Sequence, residues 1–125
     1  MKKLLMLALS LFAATSIMAA EYPDISIADL KKAIADGKVT VIDVRTSDEF
    51  SEGHIKDAKN IDIMSPDFSA KLGALDKTKP VLVHCQAGGR STRSLPTFEK
   101  LGFTEIYHLD GGMNDWNKAG QPVVK

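Results

Sequence analysis

The only cysteine of the 125-residue sequence, Cys85, stands in the run His84-Cys85-Gln86-Ala87-Gly88-Gly89-Arg90-Ser91. A cysteine becomes a nucleophile when it ionises, so the groups around it matter more than the thiol itself. Two adjacent glycines let the backbone turn sharply and come close to a bound group. Successive amides in such a turn can point inward and form an anion-binding nest. An amphipathic run follows from Ser91, and the start of a helix there would add partial positive charge. Arg90 adds a permanent one. All three favour a thiolate at Cys85 and would also hold an oxyanion beside it. Cys85 is therefore the candidate nucleophile, and Gln86, Ala87, Gly88, Gly89, Arg90 and Ser91 are the candidate binding cradle. Alone, a cysteine at the end of a strand reads as an inert buried thiol. The loop, the arginine and the helix behind it change that reading.

The other polar residues of interest carry structural expectations. Arg45 is expected to pair with Glu49, and Asp43 to steady a neighbouring loop. His54 follows a glycine in a turn and is expected to be structural. His84 adjoins Cys85, but successive strand residues face opposite sides of a sheet, so it should be packed and not act as a base. The sequence holds three histidines with no metal-ligand spacing, and no zinc site is expected. Trp116 is assigned to the core or its rim. Gly111-Gly112 marks a turn and lacks the strand and helix context of a dinucleotide-binding fingerprint.

The elements that position these residues follow from the hydrophobic pattern. Ser26 caps a predicted helix with Asp29 as its capping-box acid, and Ile27, Leu30 and Ile34 share one face before Gly37 ends it. Val39 to Val44 reads as a buried strand. Asp48 to Gly53 is a predicted helical turn, and Ala58 to Ile63 holds a short strand. Phe68, Leu72 and Leu75 predict a helix stopped before Pro80. Val81 to Val83 is the clearest strand, and it runs into Cys85. A helix from about Ser91 to Leu101 follows, with Gly102 as its stop. Pro96 falls inside it and removes a hydrogen bond, which is best tolerated near a first turn. Glu105 to Leu109 is a further strand, and Met113 to Lys118 a last short helix. Strands separated by helices predict an α/β domain with a mostly parallel sheet flanked by helices. Ligands bind beyond the carboxyl ends of such strands, where Cys85 lies.

Residues 1–20 read as an address and not as part of this fold. Lys2 and Lys3 precede an apolar run from Leu4 to about Ala14, and small residues end at Ala19 and Ala20. That order is the pattern of a secretory signal peptide, and the run is short for a membrane span. Cleavage would leave 21–125 as one domain, large enough for its own core. The chain has 16 basic and 16 acidic residues, and losing Lys2 and Lys3 leaves 14 against 16, a net charge of −2. A mixed, mildly acidic surface argues against nucleic acid as a partner. An exported chain, expected in the periplasm without stable membrane association, would meet an oxidising compartment. One cysteine cannot form an internal disulfide there, and a lone thiol is exposed to oxidation. A monomer is the default expectation.

Cys85-x-x-Gly88-x-Arg90-Ser91 resembles the active-site loop of the rhodanese-like sulfurtransferases. The likeness extends to Asp43-Val44-Arg45, Glu49-Phe50, Gly53-His54-Ile55, Ala58, Asn60-Ile61, Leu101-Gly102-Phe103, Leu109-Asp110-Gly111-Gly112, Trp116, Gly120 and Pro122. It covers about residues 24–122 and is closest to the single-domain periplasmic bacterial type. The resemblance implies a rhodanese-like domain over 21–125 and a two-step cycle. Cys85 would take the outer sulfur of a donor such as thiosulfate, then pass it from a persulfide to cyanide or a thiol. No metal or organic cofactor is implied. Phosphatases and arsenate reductases of related logic place five residues between cysteine and arginine, whereas four stand here, Gln86 to Gly89. The tighter ring suits one sulfur atom better than a tetrahedral oxyanion. Thiosulfate-specific relatives often carry basic loop residues, but Gln86 to Gly89 are uncharged, with only Arg90 and Arg93 nearby. A non-turnover persulfide carrier or sulfur-binding module serving a protein partner is the alternative of a different class.

Overall fold

The computed structural model describes residues 22–125. The signal-peptide expectation for 1–20 lies outside the described residues. Helix α1 (Ile27–Ala35) begins at Ser26, whose hydroxyl accepts the Asp29 amide at 3.0 Å. Strand β1 (Thr40–Asp43) follows, then α2 (Ser47–Glu52), β2 (Lys59–Asn60), α3 (Phe68–Gly73), β3 (Val81–His84), α4 (Gly89–Lys100), β4 (Ile106–His108) and α5 (Gly112–Lys118). The four strands form one sheet in the order β2-β1-β3-β4, parallel throughout. The predicted elements are all present. Three strands are shorter than the apolar pattern suggests, while β3 extends one residue further, to His84: β2 keeps only two residues of the stretch from Ala58 to Ile63, because only Lys59 and Asn60 pair with a partner, Ile42 and Asp43.

The β-period sorts the core into two layers. Ile42, Val81, Val83 and Cys85 face one side of the sheet, with Phe68 and Leu72 of α3 and Leu95 and Phe98 of α4. Val41 and Leu82 face the other, with Leu30 of α1 and Met113 and Trp116 of α5. Alternation of this kind is what a sheet covered on both faces requires. Phe98 is fully buried and meets Phe68 and Phe103 edge-on, with ring centroids 6.3 and 5.3 Å apart. Such offset aromatic contacts favour a fixed geometry over a loose apolar layer.

The parity also separates neighbours in sequence. Cys85 joins the α4 layer, while His84, with no exposed surface, turns to the opposite side as expected. Pro96 falls inside α4 as the sequence indicates, well past the first turn where it would be best tolerated, and the helix continues to Lys100. Thr92 and Pro96 are both exposed, so water can take the carbonyl that the missing N–H leaves free. The segment before α1 lies along β4: the His108 amide donates to the Pro23 carbonyl (2.9 Å) and the Ile25 amide to that of His108 (3.0 Å).

The carboxyl ends of the strands carry Asp43, Asn60, His84 and His108; the register puts Asn60 and His84 on either side of Asp43, while His108 lies beside Val83. Asp43 and Arg45 form an ion pair buried on both sides, with Nη2 to Oδ2 at 2.7 Å and Nε to Oδ1 at 2.9 Å. Asp43 Oδ1 also accepts the Arg45 amide at 3.0 Å. Removing one partner of a buried pair strands a charge in low dielectric, at a cost of about 3–5 kcal/mol. Asp43→Ala should lower the free energy of unfolding by about that amount, measured by urea denaturation.

Candidate functional site

β3 delivers Cys85 to the point where the sheet ends and α4 begins. The side chain is 1% exposed, so the sulfur sits at the bottom of the loop. Gly88 is the N-cap of α4, with φ +110°, and its carbonyl accepts the Thr92 amide at 2.9 Å. The amides of Gly89, Arg90 and Ser91 therefore precede the first intrahelical bond. The Gly88 amide donates to Cys85 Sγ at 3.1 Å. The Ser91 hydroxyl lies 3.4 Å from the same sulfur.

The electrostatics follow from these contacts. Burial alone would push the Cys85 thiol up. Hydrogen bonds from the Ser91 hydroxyl and from the amides of Ser91, Gly88 and Ala87 outweigh it, and the thiol lies below its ordinary value. The sulfur is thus both shielded from water and poised toward the anion.

A second helix start holds the loop from behind. The Met113 amide donates to the Cys85 carbonyl and the Asn114 amide to the Gln86 carbonyl, both at 3.0 Å. Gly112 has φ +54°, and a Cβ there would run into those two carbonyl oxygens. Gln86 is fixed at both ends of its amide, accepting from Arg45 Nη1 at 3.1 Å and donating to Asn114 Oδ1 at 2.7 Å. The glycine pair expected as a turn therefore also permits direct backbone contact with the loop.

The structure corrects one pairing. Glu49 binds Arg90, not Arg45, with Oε1 to Nη1 at 2.7 Å and Oε2 to Nη2 at 2.9 Å. Arg45 is turned inward by Asp43 and by the Gly53 carbonyl at 2.9 Å, out of reach of its neighbour four residues on. Glu49 instead closes a capping box with Thr46 at the start of α2 and points its carboxylate at the loop. The positive charge of Arg90 is thereby matched, and Arg90 anchors the loop to α2. Arg93 is exposed, with Nη1 3.8 Å from the position a Cβ on Gly89 would take. His54 stacks on Phe50 with Nδ1 2.9 Å from the Phe50 carbonyl, a structural contact as expected. Trp116 is buried and donates Nε1–H to the Pro122 carbonyl at 2.9 Å. His84 Nδ1 lies 3.0 Å from the Cys85 carbonyl, and its Nε2 has no hydrogen-bond partner among the described residues.

Sequence reasoning missed His108. Its Nε2 lies 2.7 Å from Ser91 Oγ, which places an imidazole one hydroxyl away from the sulfur. Its register supplies the signal: His108 pairs with Val83, two residues before Cys85, and so shares the sulfur's face of the sheet. The strand pattern gave no pairing from which to read this.

A family model for the rhodanese-like domain matches residues 26–119. The chain belongs to the rhodanese-like family. It is 34% identical over 85 residues to thiosulfate sulfurtransferase GlpE of Stutzerimonas stutzeri, covering 67% of this chain and 75% of that one. It is 40% identical over 79 residues to the uncharacterized protein YqhL of Bacillus subtilis, where the match spans 63% of this chain and 61% of the relative. The crystal structure of a rhodanese-related protein from Thermoplasma volcanium superposes with a TM-score of 0.73 at 34% identity, covering 82% of this chain and 98% of that one. The fold described above is thus that of a rhodanese-like domain.

Two predictions follow from the geometry. At Gly88, positive φ and a Cβ colliding with the Asp110 carbonyl oxygen both exclude a side chain. Gly88→Ala should displace the amide that reaches the sulfur and slow any reaction of the Cys85 anion by roughly 10²–10³-fold, the size of losing one such donor, read as single-turnover rate. The Arg90 hydrogen bond holds the Glu49 carboxyl at about 2, against burial and with help from Thr46. A depressed carboxyl stabilises the fold above its unfolded value near 4.3 and loses that contribution as pH falls toward its folded value. The stability gap between the wild type and Glu49→Gln in urea should be constant at neutral pH and close progressively below about pH 4.

Proposed function

We propose that this rhodanese-like protein is a sulfurtransferase that works through a persulfide on Cys85. The observation that carries the reading is the setting of the sulfur: Cys85 is 1% exposed, yet its sulfur accepts from the Gly88 amide and lies beside the Ser91 hydroxyl. Such a group reacts as a nucleophile and tolerates a new negative atom in its place. In the first step Sγ attacks the outer sulfur of a sulfane donor such as thiosulfate. An S–S bond to Cys85 forms as the donor's S–S bond breaks, and sulfite leaves with the electron pair. In the second, cyanide or a thiolate takes the outer sulfur and returns the Cys85 anion. The amides of Gln86 to Ser91 are proposed to hold the outer sulfur's charge as an oxyanion hole does. Relatives named thiosulfate sulfurtransferase support sulfur transfer as the chemistry. Export through residues 1–20 to the periplasm belongs to the same proposal.

One observation favours a second reading, a carrier that loads once and discharges to a protein partner. Two of the arginines beside the loop are matched by carboxylates, Arg45 by Asp43 and Arg90 by Glu49, which leaves Arg93, exposed near Gly89, as the guanidinium there with no salt bridge among the described residues. A cleft of about 390 Å³ beside the loop adds Glu52 to Arg45 and Glu49 among its lining residues. In that cleft the carboxylates outnumber the one arginine, which leaves Arg93 alone to draw a small dianion toward the loop.

Intact-mass measurement after thiosulfate tests the first step. The wild type should gain one sulfur atom, reversed by cyanide, and Cys85→Ala should gain none. Thiosulfate-to-cyanide turnover that persists in Cys85→Ala would refute the assignment. Loading without steady turnover would select the carrier.

A further inference from the structure

We propose that Ser91 wires Cys85 to His108, so that the thiol proton passes to the imidazole as the thiolate forms. The three groups stand in line: Sγ to Oγ at 3.4 Å and Oγ to Nε2 at 2.7 Å. All three residues are buried, with Ser91 fully so and His108 6% exposed. The inference rests on Cys85 being the reactive nucleophile, and it adds a residue that sulfur transfer as described does not use.

The argument is one of hydrogens. The Ser91 hydroxyl has a single hydrogen and three neighbours that could accept it: the Gly88 carbonyl at 3.1 Å, the Cys85 sulfur and His108 Nε2. His108 Nδ1 faces Asp110 Oδ1 at 3.9 Å. A neutral imidazole that keeps its hydrogen on Nδ1, toward that carboxylate, offers Nε2 as an acceptor. The chain then reads S–H to Oγ–H to Nε2. When the S–H bond breaks, its electrons stay on sulfur and its proton joins Oγ. The serine hydrogen moves to Nε2, leaving thiolate, an unchanged serine and an imidazolium. Nε2–H now donates to Oγ, and Oγ–H donates to the sulfur anion. No outside reactant is needed, and the reverse shift restores the thiol.

The surroundings are consistent with this. Burial pushes the His108 imidazole down, while Asp110 and Asp24 oppose it. An imidazole so placed holds a proton best when an anion appears across the serine. The charged or titratable groups around it are Asp110 after β4, Asp24 on the leading segment, Cys85 itself and, from the other face of the sheet, His84 of β3. His108 acts through Ser91 and is a positioning residue for the thiolate.

The thiolate's ultraviolet absorbance against pH, with Cys85→Ala as blank, tests the wire. Two coupled groups titrate in two macroscopic steps, so the wild type should show two inflections. His108→Gln can donate to Ser91 but cannot take a proton, and one inflection should remain. Ser91→Ala should also show one, moved up by about one pKa unit, with roughly tenfold less thiolate at neutral pH. A two-step profile in either variant, or a single step in the wild type, would overturn the proposal. Should a variant fail to fold, NMR titration of His108 decides: its pKa should be higher in wild type than in Cys85→Ala, and equal values refute the wire. Sulfur loading is scored separately by mass. A chain that couples the two groups but never loads sinks the transfer reading and leaves the wire standing.

Discussion

The site depends on where the backbone of the Cys85 loop sends its carbonyls. The amides that open α5 take the Cys85 and Gln86 carbonyl oxygens. With those oxygens drawn to the far side, the Gly88 N–H is left facing the sulfur. Buried peptide groups must find partners, so the two helix starts settle the loop together: α4 supplies donors to the sulfur, and α5 removes the competing acceptors. Gly88 and Gly112 mark the points where the chain comes too close for a side chain.

Around this core the charges are arranged in matched pairs. Asp43 and Arg45 lock the end of β1, and Asn60 Nδ2 donates to both of their carbonyls at 3.0 and 2.9 Å. Glu49 and Arg90 join α2 to α4. These pairs fix geometry without leaving a strong field at the loop. Local dipoles from amides and a hydroxyl therefore govern the sulfur more than any full charge does. Pairing of this kind makes the loop rigid, and rigidity is what lets small dipoles act without reorganising.

Much of this was legible in the sequence. Cys85 at a strand end, two glycines and a following helix specified the loop, because strand period and glycine freedom are local properties. The parity that sends His84 away from Cys85 was legible for the same reason. The partners of Arg45 and Glu49 were not. They were expected to pair with each other, but Asp43, two residues before Arg45, captures the guanidinium, and Arg90 reaches Glu49 across 41 positions. His108 was hidden likewise, since its place beside Ser91 depends on the register of β4 against β3. The short reach of β2 also reflects tertiary pairing and not the apolar pattern around it.

The segment laid along β4 has a bearing on how the molecule behaves among copies of itself. An outermost strand offers unpaired peptide groups that can recruit another chain. Here Pro23 and Ile25 occupy part of that rim through the His108 amide and carbonyl, and the Asp110 amide is taken by Asp24 Oδ1 at 2.9 Å. At the opposite rim β2 is only two residues long and carries the exposed Lys59. A small domain without a disulfide thus guards both margins of its sheet against growth into larger assemblies, one by a strap of its own chain and the other by brevity and charge.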